Sequence, residues 1–165
     1  MKIELIKADI TKLEEDAIVN AAHMGLRGGG GIDGAIHRAA GKELWEECIL
    51  LNGCDIGDAK ITKAYNLPSK FVIHAVGPVW KGGNDNEITL LYSCYKRSLE
   101  LAEENKIKSI VFPNISTGLH QFPHQKAAEI AIKAVKDFAE KEHTIEKVVF
   151  CCFDDRNYQA YKWSL

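Results

Sequence analysis

The stretch AIVNAAHMGLRGGGGIDGAIHRAA, residues 17–40, combines three features that together indicate an α/β fold. It begins with a short apolar run, Ala17–Ala22, which ends in small residues as a buried strand does. It ends with Ile32–Ala40, which predicts a helix. Four consecutive glycines, Gly28–Gly31, lead into that helix. A buried strand followed by a helix is typical of sheets that carry helices on their faces.

Strands and helices alternate along the rest of the chain, and no repeat or linker interrupts them. The other predicted strands are Lys2–Ala8, Ala59–Tyr65, Phe71–Val76, Ser109–Asn114 and Lys147–Phe153, and the other predicted helices are Lys42–Leu51, Glu87–Glu104, Lys126–Lys141 and Asn157–Trp163. This alternation implies a mostly parallel sheet covered on both faces. Ligands of such sheets bind beyond the carboxyl ends of the strands.

Length and composition narrow the class of protein. The 165 residues fit one domain, and a hydrophobic fraction of 46% is enough for a full core. The net charge of −2, with both signs intermixed, provides no basic stripe for duplex nucleic acid. No apolar run approaches the ~20 residues of a membrane span. The first residues carry an acid and no small-residue cleavage site, so we predict no signal peptide and a cytoplasmic location.

The five cysteines do not predict a disulfide framework or a metal site. Their number is odd and no CxxC pair occurs. Cys48 and Cys54 have a spacing that suits no common zinc site. Cys151 and Cys152 lie in an apolar run and are predicted to be buried strand residues on the core and back faces. We therefore expect reduced thiols and no metal.

The glycine run is the strongest indication of a binding site. Glycines allow backbone conformations that other residues avoid. A glycine run that leads into a helix presents several unpaired amides, with the positive end of the helix dipole, to an anion. A diphosphate suits such a site, although a flexible surface loop would have the same composition.

Two polar side chains follow the glycines on one face of the predicted helix. Asp33 and His37 are four residues apart, hence about one turn. The dipole favours a carboxylate at Asp33, which could accept hydrogen bonds from sugar hydroxyls or orient a water molecule. Taken alone, Asp33 could equally be a plain N-terminal helix charge, and His37 a packed helix residue.

Two further loops fall at the same predicted edge of the sheet. The segment Pro113–Pro123 joins a strand to a helix, and its Ser116, Thr117 and Gly118 could offer amides and hydroxyls to phosphate. Taken alone it is only a connection. Asp9 follows the first strand, where its carboxylate could accept from an exocyclic amine or, equally, cap a helix over Thr11–Glu15.

Several motifs in one order resemble the MacroD-type macrodomains from Asp9 to about Tyr161. They are VNAA at 19–22, the glycine run with Asp33 and His37, GDAKIT at 57–62, YNLP at 65–68, IHAVGP at 73–78 and STG at 116–118. The resemblance implies one three-layer α/β/α macrodomain over residues 1–165, with a mixed, mostly parallel sheet of six or seven strands. It also implies an ADP-ribose cleft along the strand ends.

The resemblance assigns a role to each matching position. Asp9, Ile10 and Phe153 would hold the adenine. The diphosphate would lie against Gly30, Gly31, Ile32, Ser116, Thr117, Gly118 and Leu119, followed in the loop by His120 and Gln121. Asn20 and Asp33 would lie near the distal ribose, with His37 supporting that end. Enzymes of this family remove ADP-ribose from acidic side chains and deacetylate O-acetyl-ADP-ribose, using a bound water, the substrate's phosphate and the aspartate at Asp33.

The chain departs from the family pattern at the distal-ribose end. His23 stands where the family has an asparagine that bonds the distal ribose, and Gln121 stands where it has glycine. Imidazole is bulkier and offers different donors. Gln121 could narrow the phosphate and distal-ribose pocket or forbid a glycine-only backbone. Met24 and Gly25 also replace residues that are usually small and polar.

Two functional readings follow from these matches and departures. Asp33 and His37, with Asn20 and His23 beside them, favour a hydrolase or deacetylase. His23 and Gln121 favour a non-catalytic reader of ADP-ribose or another nucleotide; an altered distal substrate is a third possibility. In each case we expect a monomer whose partner is ADP-ribose or an ADP-ribosylated protein, with no cofactor, duplex nucleic acid or membrane involved.

Overall fold

A computed structural model describes all residues, 1–165, and consists of six strands and five α-helices. The strands are β1 (Lys2–Lys7), β2 (Ala17–Ala22), β3 (Ala59–Lys63), β4 (Phe71–Val76), β5 (Ser109–Phe112) and β6 (Lys147–Cys152). The helices are α1 (Gly31–Ala40), α2 (Lys42–Leu50), α3 (Glu87–Glu104), α4 (His124–Ala139) and α5 (Asp155–Ser164), with a short 3-10 helix at Ile10–Lys12. Each predicted strand and helix is present.

The sheet is mixed, with strand order β1-β6-β5-β2-β4-β3. All neighbouring strands pair parallel except β3, which pairs antiparallel with β4. The carboxyl ends of the five parallel strands therefore lie at one edge of the sheet, and the loops that follow them meet there.

Two hydrophobic cores cover the two faces of the sheet. The larger core joins α3, α4 and α5 to one face, and the smaller core joins α1 and α2 to the other. Successive strand residues point to opposite faces. Accordingly Cys151 lies in the smaller core and Cys152 in the larger, which confirms the sequence-based expectation. The predicted three-layer α/β/α architecture is confirmed.

Element boundaries differ from the sequence-based prediction where local chemistry intervenes. β5 ends at Phe112, because Pro113 has no N–H for the ladder. β3 ends before Tyr65, whose φ of 53° is left-handed. α5 begins at Asp155, because the Asp154 side chain accepts the N–H of Asn157 and caps the helix. None of the helices is long and apolar enough to cross a membrane.

Candidate functional site

A cleft of about 950 Å³ opens at the carboxyl ends of the parallel strands. It gathers most of the predicted site residues: Asp9, Ile10, His23, Gly30, Gly31, Ile32, Asp33, Ser116, Thr117, Gly118, Leu119, His120 and Phe153. Three predicted residues do not line it, namely Asn20, His37 and Gln121. Asn20 is fully buried, and the His37 side chain is 11% exposed. The cleft thus brings together loops that are far apart in sequence.

One wall of the cleft contains the amino end of α1. Gly30 caps this helix with an extended backbone and no side-chain hydrogen bond, so the first amides of the helix have no intrahelical partner. A Cβ at Gly30 would meet nothing within 4 Å, so the space before these amides is open. A Cβ at Gly34 would lie 2.2 Å from the Gly29 carbonyl oxygen, so glycine is required for the helix to approach its own loop this closely. The glycine run therefore brings the uncapped amino end of α1 to the cleft, where its amides can face an anion.

The loop after β5 supplies further amides. Its residues Ser116 to Leu119 line the cleft. The loop closes on itself, because the Phe122 N–H donates to the Ser116 carbonyl at 2.9 Å and the Gln121 N–H donates to the Gly118 carbonyl at 2.9 Å. Ser116 has φ 69° and Gln121 has φ 59°, both in the left-handed region that costs energy for residues other than glycine.

At the far end of the cleft, Asp9 and Phe153 line the pocket just beyond the paired strands β1 and β6. Asp9 Oδ1 accepts from the Thr11 N–H at 3.0 Å and the Thr11 hydroxyl at 2.7 Å, so the capping interpretation is confirmed. These two bonds lower the pKa of Asp9. Its Oδ2 makes no hydrogen bond within the chain and remains available to a ligand. Phe153 is 76% exposed, and its backbone N–H donates to the Asn114 side-chain oxygen at 3.1 Å.

The opposite end of the cleft is built around Asp33, which is only 6% exposed. Asn20 Nδ2 donates to Asp33 Oδ1 at 2.8 Å. The two histidines flank the carboxylate, with His37 Nε2 3.5 Å from Oδ1 and His23 Nε2 3.8 Å from Oδ2. Asp33 and His37 therefore share one helix face as predicted, although neither His37 nitrogen makes a hydrogen bond. Burial lowers the pKa of His37, an effect that Asp33 opposes.

A buried polar chain beneath Asp33 was not recognised from the sequence. Asn20 pairs with His74 across β2 and β4, and Asn20 Nδ2 lies 3.1 Å from His74 Nδ1. Because the amide nitrogen is the donor, His74 Nδ1 accepts and the ring proton is on Nε2, which faces Thr62 Oγ1 at 3.0 Å. Burial lowers the pKa of His74 to about 3, so the ring is neutral. One signal was available, since a histidine in the middle of the apolar strand FVIHAV requires a polar partner.

His37, Cys48 and His74 place their ligand atoms within 4.8 Å of one another, which raises the question of a metal ion. Two features disfavour it. The hydrogen bond from Asn20 leaves the proton of His74 on Nε2, the atom that lies 3.7 Å from Cys48 Sγ. Burial raises the pKa of Cys48 to about 12, which keeps the thiol protonated. A metal would have to displace both protons, so the protonated, hydrogen-bonded state of these groups disfavours an ion here.

The two departures from the family pattern have different positions. His23 lies in the cleft, where Nδ1 accepts the Gly25 N–H at 3.2 Å and Nε2 donates to the Gly28 carbonyl. The ring therefore closes the turn that precedes the glycine run. Gln121 lies outside the cleft, in a neighbouring depression with Pro123 and Trp163. That depression shares Thr117 and Gly118 with the cleft, so the expectation that Gln121 contacts the ligand and narrows the pocket stays a prediction. The backbone at Gln121 is left-handed, a conformation that favours the glycine of the family pattern, and Gln121 adopts it nonetheless.

Comparison with known proteins agrees with this geometry. The sequence model of the Macro domain matches residues 19–131. A Macro domain-containing protein of Chlorobaculum tepidum is 58% identical over 163 residues, which cover 99% of this chain and 95% of that protein. Human ADP-ribose glycohydrolase MACROD2 is 51% identical over 163 residues, covering 98% of this chain but 38% of the human protein.

Solved structures of similar sequence share the fold. A mutant macrodomain of Oceanobacillus iheyensis with ADPR superposes with a TM-score of 0.93 at 39% identity, over 98% of this chain and 90% of that one. The Trypanosoma brucei macrodomain in complex with ADP-ribose superposes with a TM-score of 0.92 at 40% identity, over 98% of this chain and 68% of that one. On fold, site and sequence together, the chain belongs to the Macro domain family.

Proposed function

We propose that the cleft binds ADP-ribose, with the diphosphate held by two amide-rich loops. The observation that carries this proposal is that the uncapped amino end of α1, at Gly30–Ile32, and the loop at Ser116–Leu119 line one cleft. Unpaired amides at a helix amino end attract anions without requiring a positive net charge. The two related macrodomain structures that contain ADPR or ADP-ribose support the choice of ligand.

The two ends of the cleft suit the two ends of this ligand. The free Oδ2 of Asp9 can accept the exocyclic amine of adenine, beside Ile10, while the exposed Phe153 ring offers an apolar surface for the base. The distal ribose would then lie over Asp33 and His23, beyond the diphosphate. This orientation leaves the linkage to a modified protein at the end that holds the buried carboxylate.

We further propose that the protein hydrolyses the ester between ADP-ribose and an acidic side chain. A water oxygen bonds to C1″ of the distal ribose, the bond from C1″ to the ester oxygen breaks, and the protein carboxylate leaves with the electron pair. Asp33 Oδ2 takes the water proton, assisted by the substrate's own phosphate, because Oδ1 is already occupied by Asn20. Attack of the same water on the acetyl carbonyl of O-acetyl-ADP-ribose would break the bond from the acetyl carbon to the ribose oxygen, release acetate, and pass the proton held by Asp33 to the ribose hydroxyl.

Asn20 and His37 act in this scheme by positioning. Asn20 is fully buried and reaches the cleft only through Asp33, whose orientation it fixes. His37 packs beneath the carboxylate. The step uses water, Asp33 and the substrate phosphate, so it requires no cofactor. The partner is ADP-ribose or an ADP-ribosylated protein, and residues 1–165 act as one monomeric unit.

A second candidate function is recognition without turnover. The observation that favours it is that backbone groups engage both ring nitrogens of His23. This position therefore offers the distal ribose neither a side-chain amide nor an unengaged ring nitrogen. Such a protein would bind ADP-ribose through the diphosphate and adenine and release it unchanged.

One experiment separates the two candidates. Free ADP-ribose is titrated by calorimetry, and the protein is incubated with a target auto-modified on acidic side chains and with O-acetyl-ADP-ribose. The hydrolase predicts binding together with release of ADP-ribose or acetate; the reader predicts binding alone. Absence of binding at millimolar ADP-ribose would remove both proposals.

A further inference from the structure

The acid Glu87, at the start of α3, is 1% exposed and lies outside the cleft. Its Oε2 accepts from the Lys81 N–H at 2.8 Å and the Gly83 N–H at 2.7 Å, and its Oε1 accepts from the Asp85 N–H at 2.5 Å. Burial opposes ionisation, but these backbone donors outweigh it and lower the pKa of Glu87 to about 2. The loop 80–86 is thus folded around one buried charge.

This loop places Trp80 against the loop that follows β5. The Trp80 N–H donates to the His120 carbonyl at 2.8 Å. The Trp80 ring packs on Phe122 with the ring centroids 4.8 Å apart. A Cβ at Gly83 would lie 3.1 Å from the Trp80 ring, so a glycine there lets the loop fold closely over the indole. The segment whose amides bind Glu87 therefore follows Trp80 directly, and its Gly83 packs against the indole.

The loop that Trp80 contacts is conformationally costly and depends on its surroundings. Ser116 and Gln121, at its two ends, both have left-handed backbones, and such residues persist only where neighbouring structure holds them. Between them, Thr117 and Gly118 face the cleft. The Phe122 N–H closes the loop onto the Ser116 carbonyl, and the Phe122 ring is the one that Trp80 covers.

We propose that Glu87 is a positioning residue for phosphate binding. Through Trp80, it holds the loop Ser116–Gln121 in the conformation that turns the Thr117 and Gly118 amides toward the cleft. The proposal rests on the proposed function, since it takes the diphosphate as the ligand of these amides. It assigns a part in binding to a carboxylate that touches no ligand.

The test compares Glu87→Gln with a matched control on the same helix. The amide keeps the volume of the side chain but turns an N–H₂ group toward backbone donors, so at least one of the three hydrogen bonds is lost. Glu103 also accepts backbone hydrogen bonds, from the Thr144 N–H at 2.8 and 3.1 Å, but at the other end of α3 and away from the cleft. Glu103→Gln therefore controls for the general loss of such a bond.

Binding is measured with ADP and with adenosine, which lacks phosphate. For Glu87→Gln we expect the Kd of ADP to rise about tenfold and the Kd of adenosine to rise less than about twofold. For Glu103→Gln we expect both Kd values to stay unchanged. The ratio of the two Kd values does not depend on how much protein is folded. The proposal is overturned if Glu87→Gln raises the Kd of ADP and of adenosine by the same factor, or leaves both Kd values unchanged.

Two further measurements keep the result decisive. If Glu87→Gln does not fold, Trp80→Ala tests the other end of the same chain of contacts. We expect Trp80→Ala to weaken the binding of ADP selectively over adenosine, and the proposal is overturned if it does not. If the unaltered protein binds no ADP, the proposed function has failed. Amide hydrogen exchange then decides separately: faster exchange at Phe122 in Glu87→Gln retains the positioning role, and unchanged exchange removes it.

Discussion

Replacing Gln121 with glycine should stabilise the protein without changing ligand binding. Gln121 has φ 59°, and a residue with a Cβ costs about 1–2 kcal/mol in this left-handed region. Glycine removes that cost but adds about 0.4–1 kcal/mol of chain entropy to the unfolded state. The Gln121 side chain is exposed and makes no hydrogen bond, so little else is lost. The midpoints of the two ranges leave a gain of about 0.8 kcal/mol, or about 2–3 °C in Tm.

Thermal and urea unfolding of three proteins tests this estimate. Gln121→Ala removes the same side chain but keeps the Cβ, so it should remain within about 0.5 kcal/mol of the parent. The hydrogen bond from the residue 121 N–H to the Gly118 carbonyl is retained in both variants. Because Gln121 lies outside the cleft, the Kd of ADP-ribose should stay within about twofold. A glycine variant no more stable than the alanine variant would refute the argument from backbone conformation.

Three further outcomes follow from the other end of the cleft. Asp33→Asn should lower turnover at least about 100-fold while the protein stays folded, because the amide cannot accept the water proton; Glu43→Gln, also a first-turn acid, serves as the control in a rate assay. His23→Asn should raise turnover on modified acidic side chains several-fold more than it raises affinity for ADP, which lacks the distal ribose, and equal gains would contradict this. The fold favours the neutral form of His74, so below about pH 6.5 the unfolded state binds more protons than the folded state. The free energy of unfolding should therefore fall by about 2 kcal/mol from pH 7 to pH 5. Urea unfolding of His74→Gln at both pH values should show a smaller fall.

The sequence predicted the elements and most of the cleft because the evidence was local. The switch from a buried strand to a glycine run and a helix can be read over residues 17–40. The pairing of Asp33 with His37 follows from helix periodicity alone. Asn20 meets His74 instead across two strands that are 54 positions apart, and only the sheet register brings them opposite each other.

The position of Gln121 could not be read from its neighbours for a related reason. Residues in a loop of mixed backbone conformation do not follow a fixed period, so adjacent side chains can face different cavities. His120 lines the cleft, whereas Gln121, the next residue, lines the depression beside it. The folding of loop 80–86 around Glu87 was missed as well, because a buried carboxylate that binds only backbone N–H groups leaves no pattern of paired charges in the sequence.

The strand order also has a consequence for the order in which the cleft can assemble. β1 pairs only with β6, so β1 has no partner in the sheet until β6 has been synthesised. β2, β4 and β5 are neighbours within residues 17–112, which lets the pocket around Asp33 form earlier on a growing chain. The wall that carries Asp9 and Phe153 requires closure of nearly the whole chain. We therefore expect a nascent chain to acquire its buried carboxylate site first and the opposite end of the cleft only after β6 has been synthesised.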